Sequence, residues 1–214
     1  MQPYQTDFIS LCLENQVLKF GQFTLKSGRV SPYFFNLGLI SSGAALRRLG
    51  AAYAEALIAS GLQFDMLFGP AYKGIPLVAA VACALAERGR DLPFAYNRKE
   101  AKDHGEGGML VGAAPRGRVV IVDDVLTAGT ALRQSYQLLL AAGAQPVAAI
   151  TALDRQEVGP SGRSASQDMA ADTGICMLSL VTVQELLGDL QNRGADADTV
   201  QAIANYQGQY GLKP

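Results

Sequence analysis

The chain has 214 residues, of which 49% are apolar and 17% charged, and its 18 basic residues nearly balance its 19 acidic ones. This length and apolar share are typical of one globular domain and exclude a disordered chain. A net charge of −1 provides no basic face for nucleic acid, although it is compatible with a local basic cluster for a small anion. Residues 1–16 lack the basic start of a signal peptide, and the longest apolar run, 75–86, is shorter than the ~18 residues of a membrane span.

Thiol and imidazole side chains are few. Cys12, Cys83 and Cys176 lie far apart among apolar neighbours, which predicts three buried, reduced thiols and a cytoplasmic protein. His104 is the single histidine, so residue numbers alone argue strongly against a zinc site built from histidine and cysteine.

The hydrophobic pattern predicts short strands alternating with helices. Near the N-terminus it predicts a helix at 4–15, strands at 20–26 and 31–36, and a helix at 45–60. Further along it predicts strands at 64–68, 94–96, 119–122, 147–153 and 176–181 and helices at 75–88, 130–142, 183–194 and from 198 onward. The Gly/Ser-rich segment 156–167 is interpreted as a plain linker. The alternation predicts an α/β fold with a parallel sheet covered on both faces, whose ligands bind beyond the carboxyl ends of the strands.

The strongest motif lies at 119–130. Here a β-branched strand ends in Asp123 and Asp124, and the loop Val-Leu-Thr-Ala-Gly-Thr opens the next helix. A helix N-terminus with threonine hydroxyls and a glycine suits a phosphate, and the paired carboxylates suit the vicinal hydroxyls of a ribose. The segment therefore predicts a site for a ribose 5-phosphate. The alternative is an ordinary strand followed by an aspartate that caps a helix. No P-loop or dinucleotide-binding glycine motif is present.

Segment 119–131 resembles the phosphoribosyl-pyrophosphate (PRPP) signature of the type I phosphoribosyltransferases. The segments 20–29, 31–36, 69–74 and 97–108 resemble their counterparts in the orotate phosphoribosyltransferases, and the resemblance runs from the first helix to the last. It implies a type I phosphoribosyltransferase core with a central, mostly parallel sheet flanked by helices. It also implies that residues 1–214 form a single domain in which about the first 40 residues make a small hood over the active site.

The resemblance also implies residue roles. Asp123 and Asp124 would hold the ribose hydroxyls, and the loop from Thr127 would hold the 5-phosphate. The residues implied in PRPP binding are Lys26, Tyr72, Lys73, Arg98, Lys99, Lys102, His104, Asp123, Asp124, Val125, Leu126, Thr127, Ala128, Gly129, Thr130 and Ala131. Those implied in orotate binding are Lys26, Phe34, Phe35, Thr127 and Arg155. Those implied in catalysis are Lys102, His104, Arg98, Lys26 and Asp124.

Several of these residues have plainer interpretations. Arg155 follows a strand at the ligand-binding edge, where a guanidinium could meet a carboxylate, but it could equally form a surface ion pair with Asp154 or Glu157. Phe34 and Phe35 point to opposite faces of a strand, so at most one can stack on a base and either can be core. Lys26 and Lys73 could be solvated loop residues.

The polar segment 98–108 carries three permanent cations, His104 and three glycines, with almost no apolar residue to anchor it. It is interpreted as a mobile loop, although a run of charges is often only a solvated surface. By resemblance, this loop is a lid that closes over the active site of the neighbouring subunit in a homodimer, and Arg98, Lys99, Lys102 and His104 contact pyrophosphate.

The implied reaction is orotate plus PRPP giving orotidine 5′-monophosphate and pyrophosphate, a step in the biosynthesis of UMP. Mg²⁺ is the implied cofactor, held mainly by the substrate phosphates and hydroxyls rather than by a protein metal site. Two alternatives remain open: a phosphoribosyltransferase for another base such as a purine, and a PRPP-sensing regulator without catalysis. Neither nucleic acid nor a membrane is expected as a partner.

Overall fold

The computed structural model describes residues 1–25, 27–102, 108–126 and 129–213, with the backbone alone at 101 and 102. The helices are α1 (Pro3–Glu14), α2 (Gly43–Ala59), α3 (Gly74–Ala86), α4 (Thr130–Ala141), α5 (Ala165–Thr173), α6 (Val183–Asn192) and α7 (Ala197–Tyr210). The strands are β1 (Leu18–Thr24), β2 (Val30–Phe35), β3 (Met66–Gly69), β4 (Phe94–Lys102), β5 (Gly108–Gly112), β6 (Arg118–Val122), β7 (Gln145–Asp154) and β8 (Cys176–Thr182).

The central sheet has six strands in the order β5-β4-β3-β6-β7-β8. All neighbours run parallel except β4 and β5, which are antiparallel. The α/β fold with a mostly parallel sheet is therefore confirmed. Strands β3 and β6 lie at its centre, in register from Met66 opposite Val119 to Phe68 opposite Ile121. The carboxyl ends of both strands meet at one edge, as a parallel sheet requires.

Apolar side chains cover both faces of this sheet. Along β6, Val119 and Ile121 pack into a cluster with α4 and α5, whereas Val120 and Val122 pack into the larger cluster with α1, α2, α3, α6 and α7. Successive strand residues point to opposite faces, so an uninterrupted β-branched run fills both layers. The rigid centre of the sheet thus fixes the position of whatever follows β6.

Strands β1 and β2 form a separate antiparallel pair. The pair is tied to the main body by α7, which packs on β2, and by the short 3-10 helix Leu37–Leu39 that follows it. A Cβ at Gly38 in that 3-10 helix would lie 3.7 Å from Cε of Lys73. The N-terminal hairpin therefore lies beside the loop that precedes α3.

Three expectations about local structure were wrong. The polar stretch from Arg98 to Lys102 is part of strand β4 rather than a loop, and it pairs with the unforeseen strand β5. Segment 156–167 is not a plain linker, because it forms two β-bridges and enters α5 through a capping box at Ser164. Of the three free cysteines, Cys12 is buried, but Cys83 and Cys176 are exposed on elements whose other faces pack inward.

No helix in the described part of the chain is both long and apolar enough to cross a membrane.

Candidate active site at the carboxyl edge of the sheet

An acid pair directly follows the central strand β6. The backbone N–H of Asp123 donates to Ile150 O (3.0 Å), and the carbonyl of Asp124 accepts from the N–H of Ala152 (2.8 Å), so both residues are held against β7. On the other side, the hydroxyl of the fully buried Tyr53 donates to Asp123 O at 2.8 Å. The backbone of the acid pair is therefore fixed by two elements, β7 and α2.

A lysine from the loop after β3 meets this pair. Lys73 Nζ lies 2.6 Å from Asp124 Oδ2, and the Asp124 side chain is buried while that of Lys73 is half exposed. Two glycines make the approach possible. A Cβ at Gly69 would lie 2.2 Å from Gly74 O, and a Cβ at Gly74 would lie 3.0 Å from Val122 O, so only glycine fits at either end of the loop.

The two carboxyl groups differ in their electrostatic surroundings. Burial raises the pKa of Asp123 to about 6; the backbone N–H of Asp124 and the charge of Lys73 oppose this shift, and the charge of Asp124 adds to it. The pKa of Tyr53 is also raised well above its usual value, first by burial and then by the two aspartates. Asp123 can therefore gain or lose a proton near neutral pH, which is typical of groups in functional sites.

The N-terminus of α4 opens at the same edge. Gly129 caps this helix with a φ of 74°, a left-handed conformation that favours glycine, and a Cβ there would lie 2.7 Å from Nη1 of Arg133. Thr130, the first helical residue, is exposed. Unpaired N–H groups and the positive end of the helix dipole make such a terminus suitable for an anion.

A cleft of about 310 Å³ lies between the loop after β3 and strand β4; its lining residues are Ala71, Tyr72, Ile75, Tyr96, Asn97, Arg98, Lys99 and Glu100. Asn97 Oδ1 accepts from the N–H of Ala71 (3.0 Å) and so pins the loop to the strand. Lys99 Nζ lies 5.8 Å from the ring centroid of Tyr72, which is 67% exposed. The structure thus brings Lys99 to the ring of Tyr72, the residue that precedes Lys73 in the chain.

A second polar group lies where the hairpin meets the carboxyl end of β7. We call Ser31, Tyr33, Arg155, Glu157 and Tyr206 the Arg155 cluster. Arg155 donates to Glu157 Oε1 (2.7 Å) and to Ser31 Oγ (3.1 Å), and its guanidinium lies 4.5 Å from the ring centroid of Tyr33. The ion pair with Glu157, the plainer interpretation from the sequence, is therefore present. The isolated bridge between Val125 and Leu153 places this cluster next to the loop that follows the acid pair.

The surroundings of the Arg155 cluster are unusually polar for buried structure. Within the described ranges, three buried side-chain atoms have no hydrogen-bond partner: Tyr33 Oη, Gln156 Oε1 and Gln207 Oε1. All three residues touch Arg155 or follow it in the chain, since the amide of Gln207 donates to Arg155 O. Buried polar atoms normally have partners, so this concentration marks a place suited to a polar ligand.

The two phenylalanines of β2 have different environments. Phe35 packs against the core beside Phe8, with ring centroids 6.4 Å apart. Phe34 is 39% exposed and stacks on Phe23 at 5.5 Å. Only Phe34 presents its ring to solvent, in agreement with the alternation along a strand.

The remaining predicted residues are placed as follows. Val125 and Leu126 are half-buried in the loop after the acid pair, Ala131 is exposed in the first turn of α4, and Arg98 Nη1 donates to Gly108 O at 3.2 Å. Lys26, His104, Thr127 and Ala128 lie outside the described residues, and Lys102 is described by its backbone alone.

Sequence reasoning missed three residues that shape these sites: Tyr53, Asn97 and Tyr206. Helical spacing marked Tyr53 only as core, and no local pattern marks a side chain whose partner is more than 20 residues away. Glu157 was considered as an ion-pair partner of Arg155, because it stands two residues after it in the chain.

The family comparison agrees with this architecture. Residues 40–160 match the family model described as the phosphoribosyl transferase domain, and this span contains the acid pair, the Lys73 loop and the start of α4. The α/β sheet, with an acid pair and a helix N-terminus at its carboxyl edge, together with the match to this family model, defines the chain as a phosphoribosyltransferase.

Similar proteins of known name identify which phosphoribosyltransferase family this is. The chain is 55% identical to the orotate phosphoribosyltransferase of Thioalkalivibrio sulfidiphilus over 213 residues, which is 99% of this chain and 100% of the relative. It is 53% identical to that of Saccharophagus degradans over 214 residues, all of both chains. The crystal structure of the Francisella tularensis orotate phosphoribosyltransferase is 42% identical with a TM-score of 0.86, covering 95% of this chain and 98% of that one. The chain belongs to the orotate phosphoribosyltransferase family.

Proposed function

We propose that this chain transfers the ribose 5-phosphate group of PRPP to N1 of orotate, giving orotidine 5′-monophosphate and pyrophosphate in the biosynthesis of UMP. The observation that carries the proposal is the acid pair Asp123–Asp124, fixed at the carboxyl edge of β6 between Lys73 and the N-terminus of α4. Full-length identity to curated orotate phosphoribosyltransferases supports the choice of base.

We propose that the acid pair and the start of α4 bind PRPP, and that the Arg155 cluster binds orotate. Asp123 and Asp124 accept hydrogen bonds from the ribose hydroxyls, while Gly129 and Thr130 at the start of α4 bind the 5-phosphate. Arg155 binds the carboxylate of orotate, because a guanidinium matches a carboxylate in charge and geometry. Phe34, the exposed ring of β2, is proposed as the aromatic contact of the pyrimidine.

The chemistry requires positioning and charge stabilisation rather than a protein nucleophile. N1 of orotate forms a bond to the anomeric carbon as the bond to pyrophosphate breaks, and the sugar passes through an oxocarbenium-like state. Lys73, Arg98 and Lys99 are proposed to offset the departing negative charge; Lys73 contacts Asp124, and Arg98 and Lys99 line the cleft beside Tyr72. Lys26, Lys102 and His104 are proposed to act beside them, by resemblance to the family.

Mg²⁺ is the proposed cofactor, and when bound to PRPP it would neutralise phosphate charge. Mg²⁺ needs few protein ligands when substrate phosphates supply its oxygens. The acid pair fits this use, because Asp123 and Asp124 are adjacent carboxylates that can hold the substrate hydroxyls.

The ribbon of β4 and β5 is proposed as the base of a lid, residues 98–108, that acts on the neighbouring subunit of a homodimer. Its cations Arg98 and Lys99 project beside the cleft at Tyr72. The hairpin β1–β2 is proposed as a hood over the site within a single domain, since Gly38 lies beside Lys73 and Ser31 contacts Arg155. Exposed free thiols at Cys83 and Cys176 favour the reducing cytoplasm as the proposed location.

The activity is tested with purified protein, PRPP and Mg²⁺, offering orotate or a purine base and following the loss of orotate absorbance. We expect PRPP-dependent consumption of orotate and none of the purine. Turnover of the purine alone would assign the chain to a different base, and binding of PRPP without turnover of either base would indicate a regulator.

The lid is tested with mixed dimers of one subunit carrying Lys102→Ala and another carrying Asp124→Asn. If the lid acts on the neighbouring subunit, each mixed dimer assembles one intact and one doubly altered site, so activity rises well above that of either parent. Mixed dimers that remain as inactive as the parents would contradict action between subunits. Lys102→Ala alone is expected to lower kcat while PRPP still binds.

A further inference from the structure

The carboxylate of Glu157 contacts three residues: Arg155, Tyr206 and Arg29. Its Oε1 accepts from Arg155 Nε at 2.7 Å and lies 2.6 Å from Arg155 Nη2, and it also accepts from the hydroxyl of Tyr206 at 3.1 Å. Its Oε2 lies 3.4 Å from Arg29 Nη1. The side chain is only 17% exposed, so these contacts are protected from solvent screening.

These contacts use some of the hydrogen-bond donors of the Arg155 guanidinium. Glu157 occupies the edge formed by Nε and Nη2, Ser31 Oγ takes a further Nη2 bond, and the ring of Tyr33 covers one face at 4.5 Å. Nη1 is the end of the guanidinium that neither Glu157 nor Ser31 engages. A guanidinium fixed on one edge and one face can present its remaining donors in a single direction.

Glu157 is shared between two guanidinium groups, those of Arg29 and Arg155, so Arg155 is not the sole partner of this carboxylate. Arg29 also donates to Val158 O (3.1 Å) and stacks 4.7 Å from the ring centroid of Tyr210. The carboxylate is thus anchored from the hairpin and from α7.

We propose that Glu157, supported by Tyr206, is a positioning residue that orients Arg155 so that its Nη1 side meets the carboxylate of the pyrimidine substrate. The inference rests on the proposed function and deepens it, because it assigns a new residue to substrate selection. A fixed guanidinium loses little rotamer entropy when the substrate binds, so affinity for the carboxylated base depends on Glu157 even though Glu157 does not touch that base.

The experiment compares steady-state kinetics of the wild type with those of Glu157→Gln, which keeps the size of the side chain and removes its charge. A hydrogen bond to a charged group is worth enough for the KM for orotate to rise about tenfold. The kcat at saturating orotate and the KM for PRPP should stay within about twofold, because the chemistry and the acid pair are untouched. Glu55→Gln is the matched control, since Glu55 pairs with Arg88 on the outer surface at 2.7 Å.

A double-mutant cycle tests whether the effect passes through Arg155. In an Arg155→Met background, Glu157→Gln should change the KM for orotate by less than about twofold, because the group that it orients is gone. If Glu157→Gln does not fold, Tyr206→Phe, which removes a single donor to the carboxylate, should raise the same KM about threefold.

Three outcomes would overturn the inference. The first is an unchanged KM for orotate in both Glu157→Gln and Tyr206→Phe. The second is an equal rise of that KM in the presence and absence of Arg155, since this marks a structural effect. In both cases the wild-type activity, and with it the proposed function, stands. The third is a wild type that does not consume orotate, which removes the proposed function and the inference together.

Discussion

The two polar regions of the site are built in opposite ways. The acid pair, Val125 and the start of α4 come from one continuous segment that follows a buried strand, and one loop residue, Lys73, completes it. The Arg155 cluster takes its members from β2, from the loop after β7 and from α7. One region depends on local sequence and the other on long-range packing.

The two regions therefore differ in how strongly their geometry depends on side chains from distant parts of the chain. The geometry at the acid pair is imposed mainly by backbone hydrogen bonds to β7, and a single distant side chain, that of the fully buried Tyr53, adds to them. The Arg155 cluster depends on side-chain contacts among elements that reach each other only after folding. Local opening of the hairpin or of α7 should therefore loosen the Arg155 region first.

The largest expected effect is at the acid pair. Asp124→Asn removes the charge that meets Lys73 and weakens acceptance from the ribose, so kcat/KM for PRPP should fall about a hundredfold. The KM for orotate, measured at saturating PRPP, should change little. If Asp124→Asn weakened the use of orotate as much as that of PRPP, the acid pair and the Arg155 cluster would not act as separate regions.

The next effect concerns the glycines that admit the Lys73 loop. A Cβ at Gly69 would lie 2.2 Å from Gly74 O, so Gly69→Ala should lower the free energy of unfolding by about 1–3 kcal/mol and displace the loop. The control is Gly188→Ala in α6, where a Cβ meets nothing within 4 Å and alanine favours the helix. Chemical denaturation measures both; a Gly69→Ala protein as stable as its control would refute the steric argument.

The same contrast explains what the sequence could predict. Strand β6, the acid pair and α4 are contiguous, and their hydrophobic pattern and motif were sufficient to place them. The outer half of β4 was missed because its polar residues lack apolar alternation, and β5 was missed because its apolar run, 109–111, is only three residues long between two glycines. Helix α5 was missed although Ser164 and Gln167 form a capping box, because Met169 is its one buried residue. The roles of Tyr53 and Tyr206 depend on tertiary contacts that no local pattern carries.

A pH titration sharpens the description of the acid pair. Burial raises the pKa of Asp123 to about 6 from its usual 3.8, with Lys73, Asp124 and Tyr53 as its charged or titratable neighbours. Below that pH the protonated carboxyl is a poorer acceptor, so kcat/KM for PRPP should fall by about tenfold per pH unit. PRPP phosphates also titrate near pH 6, so Asp123→Asn is needed to isolate their share.

The sign of the accompanying stability change is fixed by linkage. Between pH 3.8 and about 6 the folded state binds more protons at Asp123 than the unfolded state does, so the free energy of unfolding should fall as the pH rises through this window. Asp123→Asn should remove that slope. An identical pH profile of activity in the wild type and the variant would show that Asp123 does not titrate in this range.

The smallest expected effect concerns Arg29 and tests how much a single anchor of Glu157 contributes to orotate binding. Arg29 reaches Glu157 across 3.4 Å, a longer distance than the Arg155–Glu157 contacts, and its side chain is 30% exposed, so this pair contributes more weakly. Arg29→Ala should raise the KM for orotate by only about threefold and leave kcat/KM for PRPP unchanged, because one of several anchors is lost. Arg88→Ala, which breaks a comparable surface pair with Glu55, is the control and should change neither constant. If Arg29→Ala instead lowered kcat/KM for PRPP, the hairpin would be coupled to the acid pair, and the two regions could not be treated as separate.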